Sequence, residues 1–246
     1  MERLSFNEML DLVTDRSDAL RAAAAKADPQ ARVPGCPDWT AADLMRHLGG
    51  VQMFWAEVVA AGPTAGPPEW ADPEPGGDLQ LWSAGATATL IAALREAGPD
   101  RGCWTWWESS GAPMTAGAVA RHQVQEAGVH AFDAEQAAGV AQSVPTAVAA
   151  DGVGEYLTVE LPTNGPWPHD PATVLLSTGA GGNWLIELDE NGARPRLIDG
   201  DAKADATVTA SPSDMVLAFY RRMPHELSVE GDAQLVQRLL DWPNLD

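Results

Sequence analysis

The chain changes its hydrophobic period part-way along, and that change limits the fold more than any single motif does. Up to about residue 140, apolar side chains recur every three or four positions, the spacing of helices with one buried face. Between Gly139 and Gly154 the pattern fades. Short β-type runs follow, TVLLSTG, NWLIELD, ARPRLIDG and DATVTAS, separated by Gly, Asn and Asp turns. A period near 3.6 and a period of 2 bury their apolar faces in different layers. The sequence therefore predicts an α+β chain of two domains: a helical bundle over residues 1–142 and a small α+β domain with an antiparallel sheet over residues 146–246. At 246 residues, each half is long enough to bury a core of its own.

Four helical segments are legible in the first half. The first runs from about Phe6 to Lys26 with Met9, Leu10, Val13 and Leu20 on its stripe. The second opens at Thr40, whose hydroxyl can cap a helix while Asp43 completes a capping box, and shows Leu44, Leu48, Val51, Trp55 and Val58 on its apolar face. A Pro- and Gly-rich loop, Gly62 to Gly77, leads to a third segment from Asp78 to Ala97, and a fourth covers Thr115 to Ala138. Trp104, Trp106 and Trp107 fall in the connection between these last two, where packing is the favoured role and lining a pocket the alternative. In the second half, SPSDMVLAFYRRM reads as a helix capped by Ser211 or Ser213, and DAQLVQRLLDW as a final one. The glycines of STGAGGN lack the context of a phosphate-binding loop and read as a hairpin turn.

Composition excludes several function classes. The formal charge is −20, from 35 acidic against 15 basic residues with no Lys/Arg block, so nucleic acid is not an expected partner. No apolar run reaches the roughly 20 residues a membrane span needs, and the start, MERLSFNEMLDLV, lacks the layout of a secretory signal. Cytoplasmic residence is the default expectation. An anionic ligand would need a local cationic pocket, for which Arg46, Arg121, Arg221 and Arg222 are candidates. Cys36 and Cys103 lie far apart, form no CxxC motif and suggest neither a disulfide framework nor a catalytic thiol.

Chemistry concentrates on the fourth segment. Val119, Gln123, Glu126, His130 and Asp133 follow spacings of four, three, four and three, so a polar stripe runs down one side of a helix. A solvated face would show the same stripe. His47, however, lies three residues after Leu44 and four before Val51 on the second segment, a phase that turns it toward the bundle. His47, Glu126 and His130 would form a three-ligand metal site with an open coordination position, the arrangement of catalytic rather than structural zinc. His122 is an alternative ligand, and Asp133 a candidate to orient the His130 ring. His169 and His225 sit in loop-like surroundings and read as surface residues.

These residues carry a resemblance. PDWTAADLMRHLGG resembles the signature GWtvaDLvaHLgg, and EAGVHAFDAEQAAG resembles HEtavHrwDAe, of mycothiol-dependent maleylpyruvate isomerase-like proteins, in the same order and spacing. The resemblance implies a DinB-like four-helix bundle followed by a domain like sterol carrier proteins. It implies that His47, Glu126 and His130 ligate a metal, usually zinc, and that mycothiol binds the metal through sulfur. The thiolate would add to an activated double bond, the new single bond would rotate, and elimination would release the trans isomer. Gln125 stands where many members have histidine, and FYRRM where the second domain often reads closer to LWGR. Arg222 matches the arginine of that motif and could pair with a carboxylate of substrate or thiol, or form a structural salt bridge.

The expected activity is thus a metal-dependent, mycothiol-using isomerase or thiol S-transferase acting on a small unsaturated or electrophilic substrate. Its expected partners are that substrate and a low-molecular-weight thiol. A metal-stabilised protein that binds a small molecule or lipid without catalysis is the alternative, and hydrolysis by a metal-bound hydroxide a third reading. Oligomeric state is not legible.

Overall fold

The computed structural model describes residues 3–244. Contacts divide the chain into two units, one made of Leu4–Glu108 and Pro113–Val144, the other containing Ser109–Ala112 and the chain from Pro145 onward.

The first unit is helical. Helix α1 spans Phe6–Ala24, α2 Ala41–Ala61, α3 Leu79–Ala97 and α4 Ala116–Ala137. Each begins where a side-chain oxygen satisfies amides that the first turn leaves without partners: Ser5, Thr40, Asp78 and Thr115. At Thr40 the capping box is complete, because Asp43 N–H donates to the Thr40 hydroxyl and the Asp43 carboxylate accepts from Thr40 N–H at 2.9 Å. The stripes then bury Leu20, Leu44, Met45, Leu48, Ala127, Ala131 and Ala134 in one core. Small residues on α4 let its neighbours approach closely. Gly49 and Gly50 serve the same purpose on α2: a Cβ at Gly49 would collide with the Trp82 indole, and one at Gly50 would stand 2.9 Å from the Pro73 ring. A short hairpin, β1 (Arg32–Val33) and β2 (Cys36–Thr40), precedes α2 and was not legible as strand.

The second unit opens with a helix where the sequence suggested only a transition. Helix α5, Thr146–Glu155, continues through a wide turn at Tyr156–Glu160 and a tight one at Leu161–Asn164. Its buried Val148, Val153 and Leu157, together with Tyr156 stacked on Phe219 at 4.2 Å, fix it to helix α6, Pro212–Phe219. Ser211 is the α6 cap.

The sheet contains β3 (Ala172–Ser177), β4 (Asn183–Asp189), β5 (Gly192–Ile198), β6 (Ala206–Thr209) and β7 (Ser228–Gly231), in the order β5-β4-β3-β6-β7. It is mostly antiparallel, as the sequence predicts, with one parallel pair. β6 returns beside β3 and pairs parallel to it, Leu175 opposite Thr207, while β7, absent from the sequence reading, pairs antiparallel with β6. Strand periodicity reports which face is buried and not which strand is the neighbour. Gly179–Gly181 form the turn between β3 and β4. Helix α7, Ala233–Asp241, ends the described chain.

Candidate metal centre

Helices α2 and α4 bring His47, Glu126 and His130 together. One donor atom from each lies within 4.8 Å of the others. Nε2 of His130 is 3.4 Å from Oε2 of Glu126, and Nε2 of His47 is 4.0 Å from the same oxygen. Two ligands on a tetrahedral zinc ion are separated by about 3.3 Å, given bonds near 2.0–2.1 Å. The His130–Glu126 spacing is already close to that value, and the His47 spacing requires a small side-chain adjustment. The donor set therefore fits a divalent ion.

The stripe on α4 is not a solvated face. Gln123 and Asp133 are 0% exposed, Gln125 1% and His130 9%. Exposure rises toward the triad's outer edge, where the side chains of Glu126 and His47 keep 24% and 29%. His47 thus stands at the rim of the bundle rather than deep within it.

The surroundings orient the triad. Nδ1 of His130 lies 3.1 Å from the buried Asp133 carboxylate, the hydrogen bond that leaves Nε2 facing Glu126. Cys36, half-buried on β2, donates its thiol to the same carboxylate at 3.9 Å. Trp39, also on β2, places its ring 4.7 Å from His47 and 6.3 Å from His130. Sequence reasoning missed Trp39, since nothing in its spacing signals what a hairpin will cover. On the far side of Glu126, Nε2 of His122 lies 3.9 Å from Oε1. His122 sits among Trp55, Trp106 and Trp107, with ring centroids 5.9, 5.7 and 5.3 Å away. It stands outside the cluster of mutually close donor atoms, which contains His47, Glu126 and His130.

The electrostatics suit a cation. Burial alone would push the Glu126 carboxyl up, but the hydrogen bond from His130 and the charges of His130, His122 and His47 outweigh it and hold the group at about 2. Burial would likewise push the His130 imidazole down, yet its hydrogen bonds to Asp133 and Glu126 and their charges raise it to about 9. Two carboxylates that retain a proton on a buried imidazole this strongly create the negative field a divalent ion would meet.

Two family models match the chain, the mycothiol maleylpyruvate isomerase N-terminal domain over residues 10–135 and the C-terminal domain of the same family over residues 147–238. The chain belongs to the mycothiol maleylpyruvate isomerase family. Among solved structures, a mycothiol-dependent maleylpyruvate isomerase is similar at 16% identity, with a TM-score of 0.61 over 94% of this chain and 95% of that one. A histidine-to-alanine variant of a mycothiol-dependent maleylpyruvate isomerase is similar at 14% identity, with a TM-score of 0.58 over 87% and 88%. At these identities the likeness concerns the fold. No curated protein matches the chain.

The remaining site candidates of this family member are dispersed. Arg46 is paired with Asp43 at 2.7 Å. Arg221 and Arg222 belong to the second unit. The Arg221 guanidinium donates to the carbonyls of Leu240, Asp241 and Pro243 and so ties down the end of α7. Arg222, half-buried, donates from Nη1 to the Tyr220 carbonyl at 2.8 Å. His169 is exposed, and His225 is half-buried with Nδ1 2.8 Å from the Arg222 carbonyl. Cys103 is buried, and burial pushes its thiol up to about 11 despite Arg101, so it is not a nucleophile at neutral pH. No helix among the described residues is long and apolar enough to cross a membrane.

Proposed function

We propose that the protein is a metal-dependent, mycothiol-using enzyme that adds the thiol to a small unsaturated or electrophilic substrate, as a cis–trans isomerase or a thiol S-transferase. The observation that carries this reading is the convergence of His47, Glu126 and His130 on one point at the rim of the helical unit. Family membership supplies the chemistry. A zinc or similar divalent ion held by these three groups would lower the pKa of a thiol in its open position and keep it a thiolate near neutral pH.

The chain's own residues then have defined tasks. Glu126 and the two imidazoles provide the donors, and Asp133 accepts the Nδ1 proton of His130 so that Nε2 presents its lone pair. Trp39 packs against His47 and limits its rotation. Arg222 is our candidate to pair with a carboxylate of the substrate through its planar fork. The non-catalytic, lipid-binding alternative gains no support from the second unit. A pocket of about 630 Å³ in that unit is lined by Asp170, Asp205, Asp232, His169 and Arg238 beside Trp167, Leu235 and two prolines, a wall too charged to favour an acyl chain.

The test is metal analysis of protein purified without a histidine tag, then cobalt substitution and titration with mycothiol. Stoichiometric metal and a thiol-to-cobalt charge-transfer band are expected. Metal-free protein that isomerises its substrate at full rate would refute the proposal. Replacement of Arg222 by Met should raise KM for a carboxylate substrate while the cobalt band is kept.

A further inference from the structure

The two carboxylate oxygens of Glu126 face different partners. Oε2 is the atom that Nε2 of His130 approaches at 3.4 Å and Nε2 of His47 at 4.0 Å, whereas Oε1 lies 3.9 Å from Nε2 of His122. Oε2 therefore belongs to the triad, and Oε1 is turned to a third histidine. A carboxylate can give a metal ion one oxygen or both. With one, two imidazoles and the carboxylate leave the fourth tetrahedral position open; with both, the carboxylate fills that position itself. Whatever engages Oε1 thus decides whether a thiol finds a place on the ion.

The fold sets His122 beside that oxygen. It precedes Glu126 by one turn of α4, a spacing at which side chains meet on one helix face. Its ring is 8% exposed and packed among Trp55, Trp106 and Trp107, of which Trp55 and Trp107 are core, so it has little room to swing away. An indole N–H donates and does not accept, so none of these three side chains competes for a proton on Nε2. The carboxylate does accept. Closing 3.9 Å to a hydrogen bond needs a shift of about 1 Å, within reach of the terminal Glu126 torsion, whose energy well is broad. His122 is thus a partner of the carboxylate and not a further donor to the ion, in keeping with its place outside the mutually close donor atoms.

We infer that His122 is a positioning residue of the metal centre: its Nε2–H donates to Oε1 of Glu126, restricts the carboxylate to ligation through Oε2, and so keeps a coordination position open for the incoming thiol. The inference rests on the metal and thiol reading proposed above. The hydrogen bond competes with the ion for the lone pairs of Oε1. An Oε1 released from His122 can turn to the ion and add a bond. Loss of His122 therefore spares metal binding while it weakens thiol binding, the reverse of what loss of a ligand does.

The experiment uses the full-length protein loaded with cobalt and titrated with mycothiol. It compares His122→Phe, which fills the indole cage without a donor, with His122→Gln, whose amide N–H can replace the Nε2–H. His122→Phe should keep about one cobalt per chain yet need about 10-fold more mycothiol for half of the thiol-to-cobalt band, and His122→Gln should restore most of that affinity. Infrared difference spectra of loaded minus metal-free protein give a readout independent of thiol. The splitting between the two carboxylate stretches should be wide in wild type and His122→Gln, as for one-oxygen ligation, and narrow in His122→Phe. Loss of cobalt from both variants would overturn the inference, since His122 would then be a ligand or a packing residue. An unchanged mycothiol titration or an unchanged splitting in His122→Phe would overturn it equally. Failure of the thiol reading is seen separately, as absence of the cobalt–thiol band in the wild type, and the infrared splitting still decides the role of His122.

Discussion

Two groups of buried polar side chains occupy the helical unit, both reaching α2, and they are assembled differently. In one, Gln52 donates to Ser17 at 2.8 Å and accepts from Thr87 at 2.8 Å, while Arg21 donates to Thr87 at 3.0 Å and to the Ser83 carbonyl at 3.3 Å. Donors there meet acceptors, and the layer closes on itself across α1, α2 and α3. In the other, imidazoles from two helices gather round one carboxylate: Nε2 of His130 lies 3.4 Å, of His122 3.9 Å and of His47 4.0 Å from the Glu126 oxygens. A closed layer of hydroxyl, amide and guanidinium groups specifies how helices align, whereas imidazole and carboxylate groups that converge on one point suit a cation. Burial alone does not separate the two; the chemistry of the converging groups does.

The comparison breaks most directly at the metal triad. His47→Ala removes one of three donors and should lower bound metal from about one per chain to near zero after dialysis, the outcome for an open three-ligand site. Helicity should survive, because Leu44, Leu48, Ala127 and Ala131 hold α2 and α4 without it. Metal analysis beside circular dichroism checks both halves, and stoichiometric metal in the variant would remove the distinction drawn above. A smaller loss is expected from Asp133→Asn. An amide no longer fixes the His130 tautomer by charge, and metal affinity should fall about 10- to 100-fold, measured by competition with a chelator.

How much of this was legible depended on whether the signal was local. The four helices of the first unit announced themselves by period and cap, and Thr40–Asp43 could be named as a capping box from sequence. Glu126 and His130 were visible as one helical turn. Only the tertiary fold brings His47 to them, and only the β1–β2 hairpin lays Trp39 over the imidazoles, a contact no spacing encodes. The second unit was less transparent for the same reason. Helix α5 is short, rich in Ala, Gly and Val, and capped by no side chain, so its period is weak. The parallel pairing of β3 with β6 joins segments whose neighbours in sequence say nothing of each other. For the tryptophans at 104, 106 and 107, packing describes Trp107 well and Trp106 poorly.

The closed layer supplies the converse test. Gln52→Leu matches the volume of a buried side chain but leaves Ser17 without its donor and Thr87 without one acceptor, and should cost about 1–3 kcal/mol in urea unfolding. Metal content should not change. A variant that lost metal with its stability would show that the two polar groups act as one.

The smallest effect concerns the start of the helix that contributes to both groups. Thr40→Ala deletes the cap of α2 and should cost about 1 kcal/mol at neutral pH, with metal affinity and helix alignment shifting equally little. Its pH dependence carries a sign. Burial would push the Asp43 carboxyl up, but its hydrogen bonds with Thr40 and the nearby Arg46 and Arg32 outweigh burial and hold it below the usual carboxylate range. A carboxyl lowered by folding stabilises the protein above its unfolded value of about 3.9, and that contribution is lost as pH falls through the folded value. The gap in stability between wild type and Thr40→Ala should therefore stay constant from neutral pH to about 5 and narrow below about 4. Urea melts of the two proteins across that range measure it directly. A gap that widened on acidification would mean that Asp43 is not the group that Thr40 holds, and that α2 is anchored by its apolar face alone.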